Sequence, residues 1–264
     1  MHFISQGRIN DNDGKSRMVK KSKRLLWWGT AVIAFLIFVL LQIPASWLIS
    51  KFYKNNQTLQ NVSGNIWQGQ ADWKKGKLRG SVAWKTRPLD LILFRVGADL
   101  EIHSGQTQLS GVVGYGLGKK IVIKQMQGQI SPDTLKSVVN WQWPANPIQL
   151  SDVQFNFKPE QGFSRADGTL QWAGGALIYQ FAQRQDRMDI PSLLAQVLDE
   201  SGKLSLSLQD QRGQKMANLS LDSSLMLDVQ LTQRLLQNIP SYSGKAGLDT
   251  YVVSSRQPLL SGGF

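Results

Sequence analysis

From Leu25 to Ser50 the chain runs twenty-six residues without a charge, and Leu25–Leu41 within that run is almost unbroken apolar sequence. A helix needs roughly 20 such residues to cross a bilayer core of about 30 Å. The run is apolar on every side, so it does not read as an amphipathic surface helix. The pattern predicts a transmembrane helix over 25–43. From about residue 58 the pattern changes. Apolar and polar positions alternate in short segments, each closed by Gly, Asn, Asp or Lys. Such alternation predicts antiparallel strands with one face toward a core and one toward water.

The first strand series reads Leu59–Trp67, Gln70–Trp73 before a turn at Lys74–Gly76, Lys77–Lys85, Arg95–His103, Gln106–Val113, Lys120–Gln127 and Gly128–Ile130. A short helix is expected next. Ser131 suits its N-cap, Pro132 its first position and Asp133 its positive end, and it runs to about Asn140. Trp141–Pro147 (WQWPANP) breaks regular structure. A second series opens with Ile148–Lys158, where the alternation slips near Asp152 as a β-bulge would make it. Asp167–Ala173 and Ala176–Ala182 flank Gly174-Gly175. Asp189–Glu200 reads as a helix. Lys203–Gln209 and Lys215–Val229 bracket a hairpin turn at Gln211-Arg212-Gly213. Leu231–Ile239 reads as a last helix stopped by Pro240, and Tyr251–Arg256 as a strand.

The expected fold is therefore mainly β. A single N-terminal transmembrane helix precedes an antiparallel, meander-like curved sheet with a few short helices. Ser63–Gly69 (SGNIWQG) and Asp167–Gly174 (DGTLQWAG) share Gly, an aliphatic residue, Trp and Gly in order. Two similar β units, 51–143 and 144–240, are one reading of this echo; coincidence between turn-strand-turn segments is the other. Residues 241–264 are a C-terminal tail. Residues 1–24 precede the span, and 1–17 show no periodicity. Met18 opens MVKKSKRLLWW, an ordinary start for an anchored protein. Residues 1–17 are thus either a disordered tail or not native.

Charge sets the expected topology. Arg8, Lys15, Arg17, Lys20, Lys21, Lys23 and Arg24 precede the run, against Asp11 and Asp13, and only Lys51 and Lys54 follow it closely. Basic flanks stay cytoplasmic. Lys20, Lys21, Lys23 and Arg24 are the topology determinants, placing residues 1–24 in the cytoplasm and the body outside. Trp27 and Trp28 at one edge, and Trp47 at the other, fit interface anchors. The apolar core is longer than the roughly 7–15 residues of a cleavable signal, and its small-x-small sites are poor, so the anchor is expected to be retained.

Composition narrows the chemistry. The chain has no cysteine, which rules out disulfides, thiolate metal sites and cysteine nucleophiles. The net charge of +12 is spread thinly after the tail, without the arginine-rich block of nucleic-acid binders, so no nucleic-acid partner is expected. The two histidines, His2 and His103, have no evident partners. No HExxH, GxSxG, P-loop or GxGxxG motif occurs. The glycine-rich Gly111–Gly118 lacks the helix and Lys-Ser pair of a phosphate loop. Asp186, Asp189, Asp199 and Glu200 cluster only in sequence. No catalytic, cofactor-binding or metal-binding residue is assigned, and the expectation is a non-enzyme without cofactor. Trp67, Trp73, Trp84, Trp141, Trp143 and Trp172 stand out; core filling is the ordinary role for them and a ligand groove the alternative.

Val62-Ser63-Gly64-Asn65-Ile66-Trp67-Gln68-Gly69, with Ile43-Pro44-Ala45-Ser46-Trp47-Leu48 before it, resembles general secretion pathway protein N. That family is the inner-membrane N component of bacterial type II secretion. The segment Leu78–Pro88 (LRGSVAWKTRP) also resembles the family's strand-W-x-x-x-P stretch. The likeness spans about 25–240 and is strongest over 43–90. Asn65 stands where the family usually has Thr. The resemblance implies a structural motif of Val62, Ser63, Gly64, Ile66, Trp67, Gly69, Trp84 and Pro88. It implies a bitopic protein of the Gram-negative inner membrane with a periplasmic β domain and no catalytic residues.

Three functions follow as expectations. The first is an accessory, assembly or scaffold subunit of the secretion machine, binding other type II secretion subunits at sheet surfaces or edges. The second is a lipid or envelope-biogenesis factor, since strand repeats of G-x-[LIV]-x-W type also resemble AsmA-like envelope proteins; its partner would be lipid on an apolar concave face. The third is a periplasmic glycan-binding protein using exposed Trp. The inner membrane is a partner in each.

Overall fold

The computed structural model describes residues 27–36, 38–39, 42–52, 58–76, 78–92, 95–138, 143–181, 184–240 and 242–258. Its main feature is one antiparallel sheet of thirteen strands. In chain order the strands are β1 (Leu59–Gly64), β2 (Gln68–Lys75), β3 (Leu78–Arg87), β4 (Arg95–Ser104), β5 (Thr107–Gly116), β6 (Lys120–Ile130), β7 (Ile148–Lys158) and β8 (Gly162–Trp172). Then come β9 (Gly175–Phe181), β10 (Arg184–Ile190), β11 (Leu193–Glu200), β12 (Lys203–Asp210), β13 (Lys215–Leu221), β14 (Met226–Thr232) and β15 (Tyr251–Pro258). Each strand pairs with the next, except that β9 and β10 leave as a separate two-stranded ribbon and β8 pairs with β11. Short helices among the described residues from Ala45 onward include α1 (Ala45–Phe52), α2 (Pro88–Ile92), α3 (Pro132–Val138) and α4 (Gln233–Leu236).

The two faces differ in character over much of the sheet, because side chains alternate sides along each strand. On one face Ala98, Val113, Ile123 and Phe155 stand opposite one another across β4–β7. The same face continues as Leu170, Ala195, Leu208, Ala217 and Leu231 across β8 and β11–β14. On the other face Ser151, Thr169, Gln196, Ser207, Asn218, Gln230 and Ser254 form an uncharged polar row over seven strands. Most buried strand side chains lie on the apolar face, while Val112, Val122 and Asn156 are buried on the other.

Bulges keep that sorting intact where the alternation slips. Gln125, Asp152 and Arg165 adopt left-handed backbone at φ 52°, 49° and 54° on the adjacent strands β6, β7 and β8. Register shifts flank each of them. An extra residue at each point returns Met126, Val153 and Ala166 to the apolar face and bends the strand locally.

The best-formed core lies at one end of the sheet. Trp172, Met188, Leu193, Met216, Ala217 and Leu235 are buried together, with Trp143, Ile148, Ile190 and Leu231 packed against them. The ribbon β9–β10 and helix α4 thus close that end. Thr232 caps α4, its Oγ1 accepting from Leu235 N–H at 3.3 Å. Ser131 caps α3 with a 3.4 Å bond from Thr134 N–H. Ser131 is itself tied into the sheet through Thr107 Oγ1, which accepts from Ser131 N–H at 2.8 Å.

Several expectations are corrected. Asp189–Glu200 is not a helix but the end of β10, a short break, and β11. Ile190, Leu193, Leu194, Val197 and Leu198 have helical spacing, yet Leu193, Ala195 and Val197 fall on one strand face. Pairing with β8 and β12 on both sides satisfies the backbone, and burial of Val197 to 1% exposure favours the strand. Leu231–Ile239 is helical only over Gln233–Leu236, because Leu231 and Thr232 belong to β14. Lys215–Val229 is two strands, β13 and β14, turned by Asp222–Leu225. Leu59–Trp67 ends as a strand at Gly64, and Lys120–Gln127 and Gly128–Ile130 are one strand.

Residues 27–36 are helical, within the expected span. Among the described residues no helix is long and apolar enough to cross a membrane. The expected span's Leu25, Leu26, Ile37, Leu40 and Leu41 lie outside the described residues. So do the expected cytoplasmic tail and its Lys20, Lys21, Lys23 and Arg24.

Candidate functional site

Where the apolar N-terminal segment gives way to the sheet, a compact joint forms. Ile66 N–H donates to the Ile43 carbonyl at 3.2 Å, and Pro44 bridges antiparallel to Asn65. Ala45, the first residue of α1, is buried at 3% exposure. The chain leaving the apolar run is therefore hydrogen-bonded to the β1–β2 turn before α1 and β1 have been traversed.

The turn is built by one side chain. Asn65 Oδ1 accepts from Trp67 N–H at 3.0 Å and Gln68 N–H at 2.8 Å. This is the local bonding that makes Asn a turn former. Strand β3 holds the turn from outside. Thr86 Oγ1 donates to the Ile66 carbonyl at 2.7 Å, and Thr86 N–H to the Trp67 carbonyl at 2.6 Å. Trp84 Nε1 donates to the Asn65 carbonyl at 3.3 Å.

Glycine at 69 makes room for that tryptophan. A Cβ on Gly69 would lie 2.5 Å from the Trp84 ring, closer than real Cβ atoms come. The same device recurs two rows away on that face, where a Cβ on Gly80 would lie 2.8 Å from the Trp73 ring. An indole laid over a strand glycine restores the apolar cover that glycine lacks.

The structure thus brings together Gly64, Ile66, Trp67, Gly69 and Trp84 of the predicted motif. Val62 and Ser63 lie on β1, and Ser63 pairs with Gln70. Pro88 opens α2, four residues after Trp84. Trp47 lies on α1, exposed, with Lys51 Nζ 5.0 Å from its ring centroid. Trp27 and Trp28 are exposed on the segment 27–36. Sequence reasoning missed Thr86 and the role of Asn65. An Asn two residues before Trp was the available signal for the second; for the first there was none, since Thr86 acts across the register.

Beside the joint, the polar face carries an open depression of 590 Å³ lined by Asn65, Gln70, Lys85, Asp99 and Glu101. Arg87 closes its neighbour, bonded to Asp99 at 2.6 and 2.9 Å. The Asp99 hydrogen bond raises the pKa of Arg87 above its ordinary value. The lining holds both signs of charge and no nucleophile–base pair. Among the described residues no group of three or more His, Asp or Glu could hold a metal.

The tryptophans considered for a ligand groove take other places. Trp172 is buried and Trp143 packs against it at a tilt, ring centroids 5.8 Å apart; Trp141 lies outside the described residues. Trp73 and Trp84 cover glycines. Trp67, Trp73, Trp84 and Trp143 are half-buried.

Residues 55–237 match the family model of type II secretion system (T2SS) protein N. The chain belongs to that family. Neither the curated proteins nor the solved structures give a match. As a type II secretion system protein N, the chain is a component of the secretion machinery. The match begins just before β1 and ends just after α4, so it takes in the joint's turn and all but the last strand of the sheet.

Proposed function

We propose that the chain is a single-pass inner-membrane subunit of the type II secretion machine. Its N-terminus is cytoplasmic, its sheet is periplasmic, and it works as an accessory or scaffold component without catalysis. The observation that carries this reading is the joint. The exit of the apolar run is bonded to the family motif's turn through Ile43 and Ile66, so the sheet is held at a fixed place against the anchor. Partner subunits then meet the polar face around Lys85, Asp99 and Glu101 or an edge strand, by strand addition.

Reporter fusions test the topology. Alkaline phosphatase fused after Pro258 is expected to be active, with the protein in the inner-membrane fraction. Activity only of a cytoplasmic reporter at that point would overturn the reading.

A second reading is supported by the burial pattern. Most apolar-face side chains, among them Leu100, Leu109, Leu206 and Val229, are half-buried rather than buried. A lipid chain on that face would complete their burial. Native mass spectrometry of the purified chain distinguishes the two: retained phospholipid favours this reading, and a lipid-free mass counts against it.

A further inference from the structure

From Thr58 onward, the four most exposed large hydrophobic residues among those described are Leu117, Leu89, Val96 and Tyr115, at 78%, 76%, 54% and 54%. They are neighbours. Val96 and Tyr115 face each other across β4 and β5, Leu117 begins the β5–β6 turn, and Leu89 lies on α2 between β3 and β4. The antiparallel order puts these connections at the same end of strands β1–β5 as the Asn65–Gln68 turn. This is the end that receives the apolar N-terminal segment, and it is opposite to the end closed by α4 and the ribbon.

Lysines border the patch. Lys119 and Lys120 follow Leu117 after Gly118, and a Cβ on Gly118 would lie 3.5 Å from Lys158 Cε. Of the nearby acids, Asp90 is paired with Arg95 at 2.5 Å, and Glu160 stands in the next turn. Exposed leucines and a tyrosine bordered by lysines match a bilayer surface, where the apolar groups enter the interface and the ammonium groups meet anionic headgroups.

We propose that this end of the sheet docks on the anionic periplasmic leaflet, with Leu89 and Leu117 inserted and Lys119, Lys120 and Lys158 on the headgroups. The inference rests on the anchored reading and goes beyond it. A tethered sheet need not touch the bilayer; this one lies against it on a second contact. Docking fixes the sheet's orientation and keeps the opposite end and the polar face clear for other subunits.

The chain has no cysteine, so Leu117→Cys and Gln106→Cys each give one labelling site. Gln106 lies in the β4–β5 turn at the far end. Each full-length variant is labelled with an environment-sensitive fluorophore and reconstituted into phosphatidylglycerol–phosphatidylethanolamine vesicles. Spin labels on the lipid acyl chains then quench by depth. The expected result is several-fold stronger quenching at 117 than at 106, reduced by Lys119→Glu with Lys120→Glu. Equal quenching at both sites in protein that floats with the vesicles overturns docking and leaves the anchor standing. Protein that does not float overturns both. Leu89→Cys repeats the reading from α2 and is expected to match 117; a value equal to 106 contradicts the patch.

Discussion

Trp84 lies across Gly69 and donates its indole N–H to the Asn65 carbonyl, so one side chain both covers a strand glycine and holds the turn before it. Gly69→Ala places a methyl against the ring. Overpacking of this kind costs about 1–3 kcal/mol. Trp84→Ala removes the cover and the bond, and is expected to cost about 3 kcal/mol. Urea unfolding of the purified chain measures both. The double variant is expected to cost less than the sum, because Gly69→Ala then strikes the Ser63 carbonyl but no longer the ring.

Asn65→Ala leaves two turn N–H groups without their acceptor. The expected loss is about 1–2 kcal/mol, one modest net hydrogen bond for each. Asn65→Thr is expected to recover part of it, since a hydroxyl accepts the same bonds more weakly. Thermal unfolding of the three proteins gives the order Asn, Thr, Ala.

The strands were legible because alternation at every second residue has one simple reading, and the slip at Asp152 showed itself as a bulge before any register was known. Ser131-Pro132-Asp133 announced α3 in the same way. What stayed hidden depended on partners far along the chain. Ile190, Leu193, Leu194, Val197 and Leu198 satisfy helical spacing as well as they satisfy a strand. Only β8 and β12, on either side, decide between them. Gly174 and Gly175 mark a turn, but not that β9 leaves the sheet and that Trp172 finds Leu193 instead. The joint was half legible: Gly64, Trp67 and Gly69 could be read as a motif, whereas the hold of Trp84 and Thr86 on the turn appears only once β2 and β3 are in register.

The sorting of faces predicts unequal tolerance. Val197→Ala on the apolar face opens space where a side chain was wholly enclosed, and is expected to cost about 2 kcal/mol. Ser207→Ala, on the polar face of the next strand opposite Gln196, is expected to change stability by no more than about 0.5 kcal/mol. Chemical denaturation midpoints compare them.

Asp222 Oδ1 accepts from the Ser224 hydroxyl at 2.6 Å and from Met226 N–H at 3.1 Å, and Arg256 lies at 2.6 Å from Oδ2. The Ser224 bond first, then the backbone bonds and Arg256, hold its carboxyl below the ordinary carboxylate range. A carboxyl lowered in the folded state adds stability above its unfolded pKa of about 3.9, and that stability fades as pH falls through the folded value. The turn between β13 and β14, and the Arg256 tie to β15, are expected to loosen only in acid below about pH 4. Hydrogen exchange at Met226, followed from pH 7 downward, shows protection lost there. In Asp222→Asn the acid-linked part of the change disappears.

β15 lies beyond the residues matched by the family and pairs with β14 along Leu227–Thr232. Ending the chain at Pro240 bares the β14 edge with Leu227, Val229 and Leu231. A bare apolar edge pairs with other chains. Sedimentation of the shortened protein is expected to show dimers or larger species where the full chain shows none.

The most direct measurement is native purification of the tagged chain from membranes of cells that make the whole secretion machine. Mass spectrometry of the eluate is expected to find other type II secretion subunits in stoichiometric amounts, and Asn65→Ala with Trp84→Ala to lower their yield while the chain stays in the membrane. A full-length chain that elutes from intact membranes without any secretion subunit would contradict the account.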